Sequence, residues 1–191
     1  MQALKDRIAA EGQNLGSGIL KIDSILNHQI DPKLMFAMGE ALAAMFHGVT
    51  IHRILTAEIS GICPALTAGY ALDVPVVYAR KLKPITMAGP VYLETAPSHT
   101  KGAQVNLLVA AEFLHADENV LIIDDFLASG KTLAALARMV RSAHANLVGA
   151  GVVVEKSFES GRAYMQQQGF DIPIYSLITI TSMDDGKIVM A

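Results

Sequence analysis

The chain has 191 residues, of which 52% are hydrophobic and 17% are charged. This composition excludes an intrinsically disordered protein, and the length suits one domain with a full hydrophobic core. The net charge of −3 disfavours nucleic-acid binding, which normally needs an excess of Lys and Arg. It does not disfavour a small anionic ligand, because a few backbone amides can bind phosphate.

The sequence also predicts a cytoplasmic protein that has no contact with a membrane. It contains no apolar run near the roughly 18–20 residues that span a bilayer. The first residues, MQALKDRIAAEGQNL, lack the apolar segment of a secretory signal. The single cysteine, Cys63, cannot form an internal disulfide, which is typical of a reducing compartment.

In chain order, helices and strands are predicted to alternate. Apolar spacing predicts a helix over 4–11, and Asp31–Pro32 is a helix start signal for a second helix that ends near Gly48. Further strands are expected over 51–57, 75–79, 104–110, 120–123, 147–154 and 174–180, and helices over 63–72, 133–143 and 162–168. This order indicates the α/β class, with a parallel sheet flanked by helices that binds ligands at the carboxyl ends of its strands.

Residues 82–100 interrupt the alternation. They contain Pro84, Gly89, Pro90 and Pro97 and few regularly spaced apolar residues. A long irregular segment in a compact domain is usually a binding loop. We therefore expect 82–100 to be an irregular, mobile loop that closes over the site.

The most informative segment is 120–132, with the sequence VLIIDDFLASGKT. Its four apolar residues predict a buried strand, which Asp124 and Asp125 follow, and a turn of small residues then leads into a helix. Amides at the helix start, together with the hydroxyls of Ser129 and Thr132, would bind a monophosphate. The two carboxylates beside it could accept hydrogen bonds from vicinal hydroxyls. A phosphate next to a diol describes ribose 5-phosphate.

Two other interpretations explain less of this segment. Gly130-Lys131-Thr132 is similar to the end of a triphosphate-binding P-loop, but that motif needs a glycine where Asp125 stands. A solvated acidic turn that caps a helix would explain the acid pair alone. It would not explain why strand, acids, small-residue turn and helix follow one another in this order.

The segment resembles the motif with which type I phosphoribosyltransferases bind phosphoribosyl pyrophosphate (PRPP). The resemblance covers nearly the whole chain and is closest to members that act on xanthine. It is carried by LKIDSILNHQIDP (20–32), PVVYARK (75–81), DDFLA (124–128) and VEKSF (154–158). It implies the type I fold in a single domain over 1–191, with a central parallel sheet and a small hood over the base. The hood would comprise about residues 1–35 and the C-terminal part.

The resemblance assigns the PRPP site to residues after several strands. Asp124 and Asp125 would bind the ribose hydroxyls. Residues 57–61 match the pyrophosphate loop, in which Ser60 and Gly61 would offer amides and in which the family often has a cis non-proline peptide. Residues Ala128, Ser129, Gly130, Lys131 and Thr132 would bind the 5-phosphate.

Two basic residues, Arg80 and Lys81, match residues that reach the pyrophosphate in the family. In some members they do so in the partner subunit, which implies a homodimer. An ordinary exposed charge cluster is the alternative interpretation of these residues together with Lys83.

The resemblance also places Leu20, Asn27 and Lys156 at the base. The Asn27 amide can donate and accept, which suits the N–H and C=O groups of an oxopurine. Lys156 can only donate, which suits an exocyclic carbonyl and not the amino group of adenine. Phe158 would either stack on the base or be a core aromatic residue.

The implied activity is purine salvage, in which PRPP and xanthine give xanthosine 5′-monophosphate and pyrophosphate. Mg²⁺ would arrive with PRPP and not occupy a dedicated protein site, and the six histidines have no metal-ligand spacing. One alternative is an enzyme for hypoxanthine or guanine, or less so adenine. Another is a purine-responsive regulator that senses PRPP, although such a protein normally needs a nucleic-acid-binding module or a basic face.

Overall fold

The computed structural model describes residues 1–97 and 104–191. The helices are α1 (Gln2–Glu11), α2 (Pro32–Ala44), α3 (Ile62–Leu72), α4 (Lys131–Ser142) and α5 (Gly161–Gln167). The strands are β1 (Gln13–Asn14), β2 (Leu20–Lys21), β3 (Arg53–Ala57), β4 (Val76–Ala79), β5 (Val91–Pro97), β6 (Gln104–Ala110), β7 (Asn119–Leu127), β8 (Asn146–Lys156), β9 (Ile174–Ser182) and β10 (Val189–Met190).

A six-stranded sheet with the order β10-β9-β8-β7-β3-β4 forms the centre of the protein. The strands from β9 to β4 pair in parallel, and the short edge strand β10 is antiparallel. The predicted α/β class is therefore confirmed, with an added antiparallel edge. Because the carboxyl ends of β3, β7 and β8 lie at one edge of the sheet, the loops after these strands are neighbours.

Helices cover both faces of the sheet, which explains why β7 begins with a continuous apolar run. On one face, Ile122 of β7 belongs to the apolar cluster that includes Leu136 of α4 and Met165 of α5. On the other face, Leu121 and Ile123 belong to the cluster formed with α1, α2 and α3. Residues 120–123 are fully buried, so the strand that carries the two acids is fixed by packing on both faces.

The first residues of the chain contact its last ones. The strands β1 and β2 form a small antiparallel sheet. The side-chain amide of Asn14 donates to the carbonyls of Met183 and Lys187, over 2.7 and 3.1 Å. The Lys5 ammonium donates to the carbonyl of Ala191 over 2.7 Å. A hood made of about residues 1–35 and the C-terminal part stays a prediction, with which these contacts agree.

The prediction of one irregular loop over 82–100 is wrong for part of that range. Residues Val91–Pro97 form β5, which pairs antiparallel with β6 in a separate two-stranded sheet. The prolines misled the prediction, because Pro90 precedes the strand and Pro97 ends it, where a missing amide is tolerated. Residues 82–90 are irregular as expected, whereas 98–100, and with them His99, lie outside the described residues.

The strand predicted over 104–110 exists as β6, but it does not belong to the central sheet. Among the described residues, an antiparallel bridge between Leu108 and Arg80, at the end of β4, joins it to that sheet. The β5–β6 hairpin thereby lies beside the edge of the sheet where the strands end.

The contact between α2 and α3 depends on Gly39, because a methyl group there would lie 2.5 Å from the backbone carbon of Thr67. We expect Gly39→Ala to lower the free energy of unfolding by about 1–3 kcal/mol, the usual cost of overpacking. Gly89→Ala is the matched control, since a methyl group at Gly89 meets no atom within 4 Å. Thermal and urea unfolding measure both variants. Equal unfolding midpoints for the two variants would contradict this prediction, because α2 and α3 could then move apart at Gly39 without loss of stability.

Candidate active site

A cleft of about 490 Å³ opens where β3, β7 and β8 end. Its walls come from the loop after β3, the turn between β7 and α4, the end of β8, the N-terminal segment around β2, and the β5–β6 hairpin. The sequence-predicted residues that line it are Leu20, Asn27, Ser60, Gly61, Lys81, Asp124, Asp125, Ala128, Gly130, Lys131, Thr132 and Lys156. Residues predicted from separate segments therefore meet in one cavity.

Arg80 and Ser129 are predicted site residues that are not among those lining the cleft. The Arg80 Nε atom lies 3.6 Å from Oε2 of Glu58, and its guanidinium lies 6.0 Å from the centroid of the Tyr78 ring. This Nε atom is buried and makes no hydrogen bond within the described part of the chain. A direct role of Arg80 stays a prediction, whereas its neighbour Lys81 lines the cleft.

Glu58 connects the loop after β3 to the loop after β4, a role that the sequence reasoning did not give it when it assigned 57–61 to the pyrophosphate loop. Its Oε1 atom accepts a hydrogen bond from the backbone amide of Lys81 over 2.7 Å, and Glu58 itself lines the cleft. The sequence offered one signal for this contact, namely an acid after β3 and two adjacent basic residues, Arg80 and Lys81, after β4. The Glu58–Ile59 peptide bond is cis, as the resemblance implies for this loop.

The acid pair lies at the end of β7, where Asp124 is buried and Asp125 is partly buried. The side-chain Oδ1 of Asp124 accepts from the amide of Asp125 over 3.0 Å, and Oδ1 of Asp125 accepts from the amide of Phe126 over 2.9 Å. Burial raises the pKa of Asp124 well above its ordinary value, and the charge of Asp125 raises it further. Burial also raises the pKa of Asp125, against the hydrogen bonds and the charge of Lys81 that lower it. Donors from a ligand would stabilise the ionised form of both.

The loop after β3 packs directly on this acid pair at Gly61. A methyl group at Gly61 would lie 2.5 Å from Oδ1 of Asp124 and closer still to the hydroxyl of Thr56. Only glycine allows the two loops to approach this closely. The Thr56 hydroxyl is buried and has no hydrogen-bond partner among residues 1–97 and 104–191. The helix α3 starts directly after Gly61, and its first amide, that of Ile62, donates to the carbonyl of Ile59 over 3.2 Å.

The turn between β7 and α4 presents a second helix start to the cleft. Gly130 precedes α4 with a φ of +76°, a left-handed conformation that favours glycine, and no side chain caps the helix. A methyl group at Gly130 would lie 2.6 Å from the carbonyl oxygen of Gly161, the first residue of α5. The turn is therefore held between β7 and α5, with the uncapped start of α4 at the cleft. Unpaired amides and the helix dipole favour an anion here.

The other end of the cleft contains Lys156 and Phe126. The Lys156 ammonium donates to the carbonyl of Gly18 over 2.9 Å and lies 2.5 Å from Oε1 of Glu159. It also lies 6.0 Å from the centroid of the Phe126 ring. The sequence reasoning missed Phe126 as a cleft residue, although it directly follows the acid pair.

Phe158 fits neither of its two predicted roles. It is exposed, which excludes a core aromatic residue, and it is not among the residues that line the cleft. It lies instead on a small separate pocket of about 110 Å³, together with Gly18 and Met183. The aromatic ring on the cleft wall is that of Phe126.

The described residues also bear on metals and membranes. Across 1–97 and 104–191, no group of three or more His, Cys, Asp and Glu side chains is arranged to hold a metal ion. Over the same residues, every helix is too short or too polar to cross a bilayer.

Comparisons with known proteins agree with the geometry of the site. Residues 47–173 match the phosphoribosyl transferase domain family. The xanthine phosphoribosyltransferase of Deinococcus deserti is 50% identical over 186 residues, which cover 97% of this chain and 95% of that protein. That of Heliobacterium modesticaldum is 47% identical over the full length of both chains.

Solved structures are similar in fold. The adenine phosphoribosyltransferase of Rhodothermus marinus matches with a TM-score of 0.73 at 21% identity, over 94% of this chain and 99% of that one. That of Saccharomyces cerevisiae matches with a TM-score of 0.70 at 26% identity, over 93% and 99%. The chain therefore belongs to the phosphoribosyltransferase family, in which its sequence groups with the xanthine phosphoribosyltransferases.

Proposed function

We propose that this protein is a purine salvage enzyme that transfers the 5-phosphoribosyl group of PRPP to xanthine. The products are xanthosine 5′-monophosphate (XMP) and pyrophosphate. The observation that carries the proposal is the single cleft that contains the acid pair, the uncapped start of α4 and Lys156. The names of relatives that are 47–50% identical to the chain support xanthine as the base.

The ribose 5-phosphate half of PRPP fits between β7 and α4. Residues 128–132 would bind the 5-phosphate through backbone amides and the hydroxyls of Ser129 and Thr132. Asp124 and Asp125 would accept hydrogen bonds from the ribose hydroxyls. Such charge-assisted bonds would offset the cost of burying the two carboxylates.

The pyrophosphate half fits the loop after β3. The amides of Ser60 and Gly61 and the ammonium of Lys81 would face it, since all three residues line the cleft. Arg80 would act on the pyrophosphate either through its contact with Glu58 or across a dimer interface. Mg²⁺ would enter as part of the substrate, bound by the oxygens of PRPP, and would neutralise charge on the leaving group.

Catalysis would rest on positioning and electrostatics. A bond forms between a purine ring nitrogen and C1 of the ribose while the bond from C1 to the pyrophosphate oxygen breaks, and the purine loses its proton to solvent or to the departing pyrophosphate. Lys81 and the amides of the β3 loop stabilise charge on the departing pyrophosphate. Asp124 and Asp125 lie where positive charge develops on the sugar. Apolar residues of the β5–β6 hairpin, such as Ala96 and Leu107, line the cleft and limit the access of water.

The base would bind at the end of the cleft that contains Leu20, Asn27, Lys156 and Phe126. Lys156 would donate to an exocyclic carbonyl, and the Asn27 amide would donate to and accept from the oxopurine edge. The ring of Phe126 would offer a stacking surface.

We further propose a cytoplasmic homodimer. Exposed apolar side chains of α2 and α3 support the dimer. Leu66 and Tyr70 lie one turn apart on α3, and the rings of Tyr70 and Phe36 of α2 are 5.8 Å apart between centroids. Contiguous exposed apolar side chains of this kind commonly mark protein interfaces.

To test the reaction, we would incubate the protein with PRPP, Mg²⁺ and each of xanthine, guanine, hypoxanthine and adenine in separate reactions. We expect the highest kcat/KM with xanthine. Asn27→Ala should lose most of the preference for xanthine and leave the KM for PRPP unchanged, because the residue lies at the base end of the cleft. Asp125→Asn is the matched comparison and should raise the KM for PRPP with every base. Activity confined to another base would contradict the assignment of xanthine.

Asp124→Asn should bind PRPP more weakly and yet unfold at a higher temperature. A carboxyl whose pKa is raised in the folded state destabilises the fold most when it is ionised. The stability gained by Asp124→Asn should therefore be full above that pKa. It should shrink as the pH falls towards about 4, the ordinary pKa of Asp. We expect a rise in Tm of about 2–4 °C for each 1 kcal/mol gained. The exposed Asp171 provides the control, Asp171→Asn. A lower Tm for Asp124→Asn at neutral pH would mean that the ionised carboxylate stabilises the fold.

Tyr70→Glu should convert the dimer to a monomer in sedimentation experiments, because it places a charge on the exposed apolar surface of α3. Phe113→Glu changes another exposed aromatic side chain, beside Leu114 of the opposite core cluster, and should remain dimeric. A monomeric wild type would refute the proposed assembly.

A further inference from the structure

The ammonium of Lys156 is held on several sides before any base binds. The Gly18 carbonyl oxygen lies 2.9 Å away, Oε1 of Glu159 lies 2.5 Å away, and the Phe126 ring centroid lies 6.0 Å away. Its side chain is only 12% exposed. A free lysine has a flexible stem and loses rotamer freedom when it binds. Here Gly18 and Glu159 have already fixed that stem.

The three N–H groups of a lysine ammonium can be accounted for at this site. One donates to the Gly18 carbonyl, and the Glu159 carboxylate forms an ion pair with the ammonium, which leaves at least one N–H for a ligand. Because Lys156 lines the cleft, the remaining donor is available to a ligand there. The lysine is thus held in place while a donor remains available at the cleft.

Glu159 itself is not among the residues that line the cleft. It lies on the helical turn Ser157–Glu159 directly after β8. Gly18 packs against the same turn, since a methyl group at Gly18 would lie 3.5 Å from Oε1 of Glu159 and 3.5 Å from the Phe158 ring. Glu159 therefore acts on a ligand through Lys156.

We infer that Glu159 is a positioning residue for base recognition, which holds Lys156 so that its remaining N–H meets a purine carbonyl. The inference rests on the proposed function. A base with an amino group at that position would place N–H donors against the N–H of Lys156. Because the lysine is held in place, it could not move to avoid this repulsive contact. Glu159 thereby contributes to the choice of an oxopurine without touching it.

The test is a double-mutant cycle with Glu159→Ala, Lys156→Met and the combined variant, measured with PRPP and xanthine. We expect Glu159→Ala to raise the KM for xanthine about tenfold, the size of one lost charge-assisted hydrogen bond. The KM for PRPP and the kcat should change little. Glu159→Gln, which keeps a hydrogen-bond acceptor, should recover part of the loss. In the Lys156→Met background, Glu159→Ala should have no further effect.

Two controls separate positioning from a structural defect. Glu112→Ala removes an exposed acid elsewhere and should leave both KM values unchanged. Calorimetric titration with XMP repeats the comparison without turnover, so that a slow variant still gives a result. Equal rises in the KM values for xanthine and PRPP would overturn the inference, because they would indicate general damage to the site.

The remaining outcomes distinguish the inference from the proposed function. If wild type forms XMP but Glu159→Ala or Lys156→Met binds xanthine as tightly as wild type does, the inference fails and the function stands. Additive effects of the two substitutions would also overturn it. A wild type that neither forms nor binds XMP would overturn the function and the inference together.

Discussion

Two adjacent carboxylates at the end of a central strand, one buried and one partly buried, constrain the rest of the site. Packing on both faces of the sheet fixes β7, so Asp124 stays buried beside the partly buried Asp125, and burial raises the pKa of each. The surrounding loops are arranged around this pair. Gly61 lets the loop after β3 approach Asp124, and the charge of Lys81 partly offsets the burial. The protein keeps a locally unfavourable arrangement that a ligand with hydroxyl donors would relieve.

The end of the cleft that we propose for the base is built differently, from contacts between residues far apart in the sequence. The bond from Lys156 to Gly18 connects the end of β8 to the N-terminal segment that carries Leu20. Asn14 connects the same segment to residues near the C-terminus. In the proposed function, recognition of the base and placement of the N-terminal segment would therefore depend on some of the same hydrogen bonds. The PRPP end, by contrast, consists mainly of the loops that directly follow the sheet strands.

This difference explains what could be predicted from the sequence. The strand, acid pair and turn over 120–132 could be predicted because their signals are local: an apolar run, two acids, small residues and a helix start. The β5–β6 hairpin could not, since strand pairing is non-local and Pro90 and Pro97 are typical of a loop. The side-chain partners were also beyond the sequence. No spacing rule predicts that Arg80 lies beside Glu58, or that Lys156 reaches Gly18, which is 138 positions away.

The contact between Gly130 and Gly161 restricts how this protein can change in evolution. Each glycine faces the backbone of the other's segment, with less than a methyl group's space between them. A larger residue at one position is usually accommodated by a smaller one opposite, but a glycine has no side chain left to reduce. Compensation would have to come from a shift of the whole of α5, which the paired Arg162 and Glu155 hold in place. We therefore expect few substitutions at Gly130 and Gly161 to be tolerated, whatever ligand the turn before α4 binds.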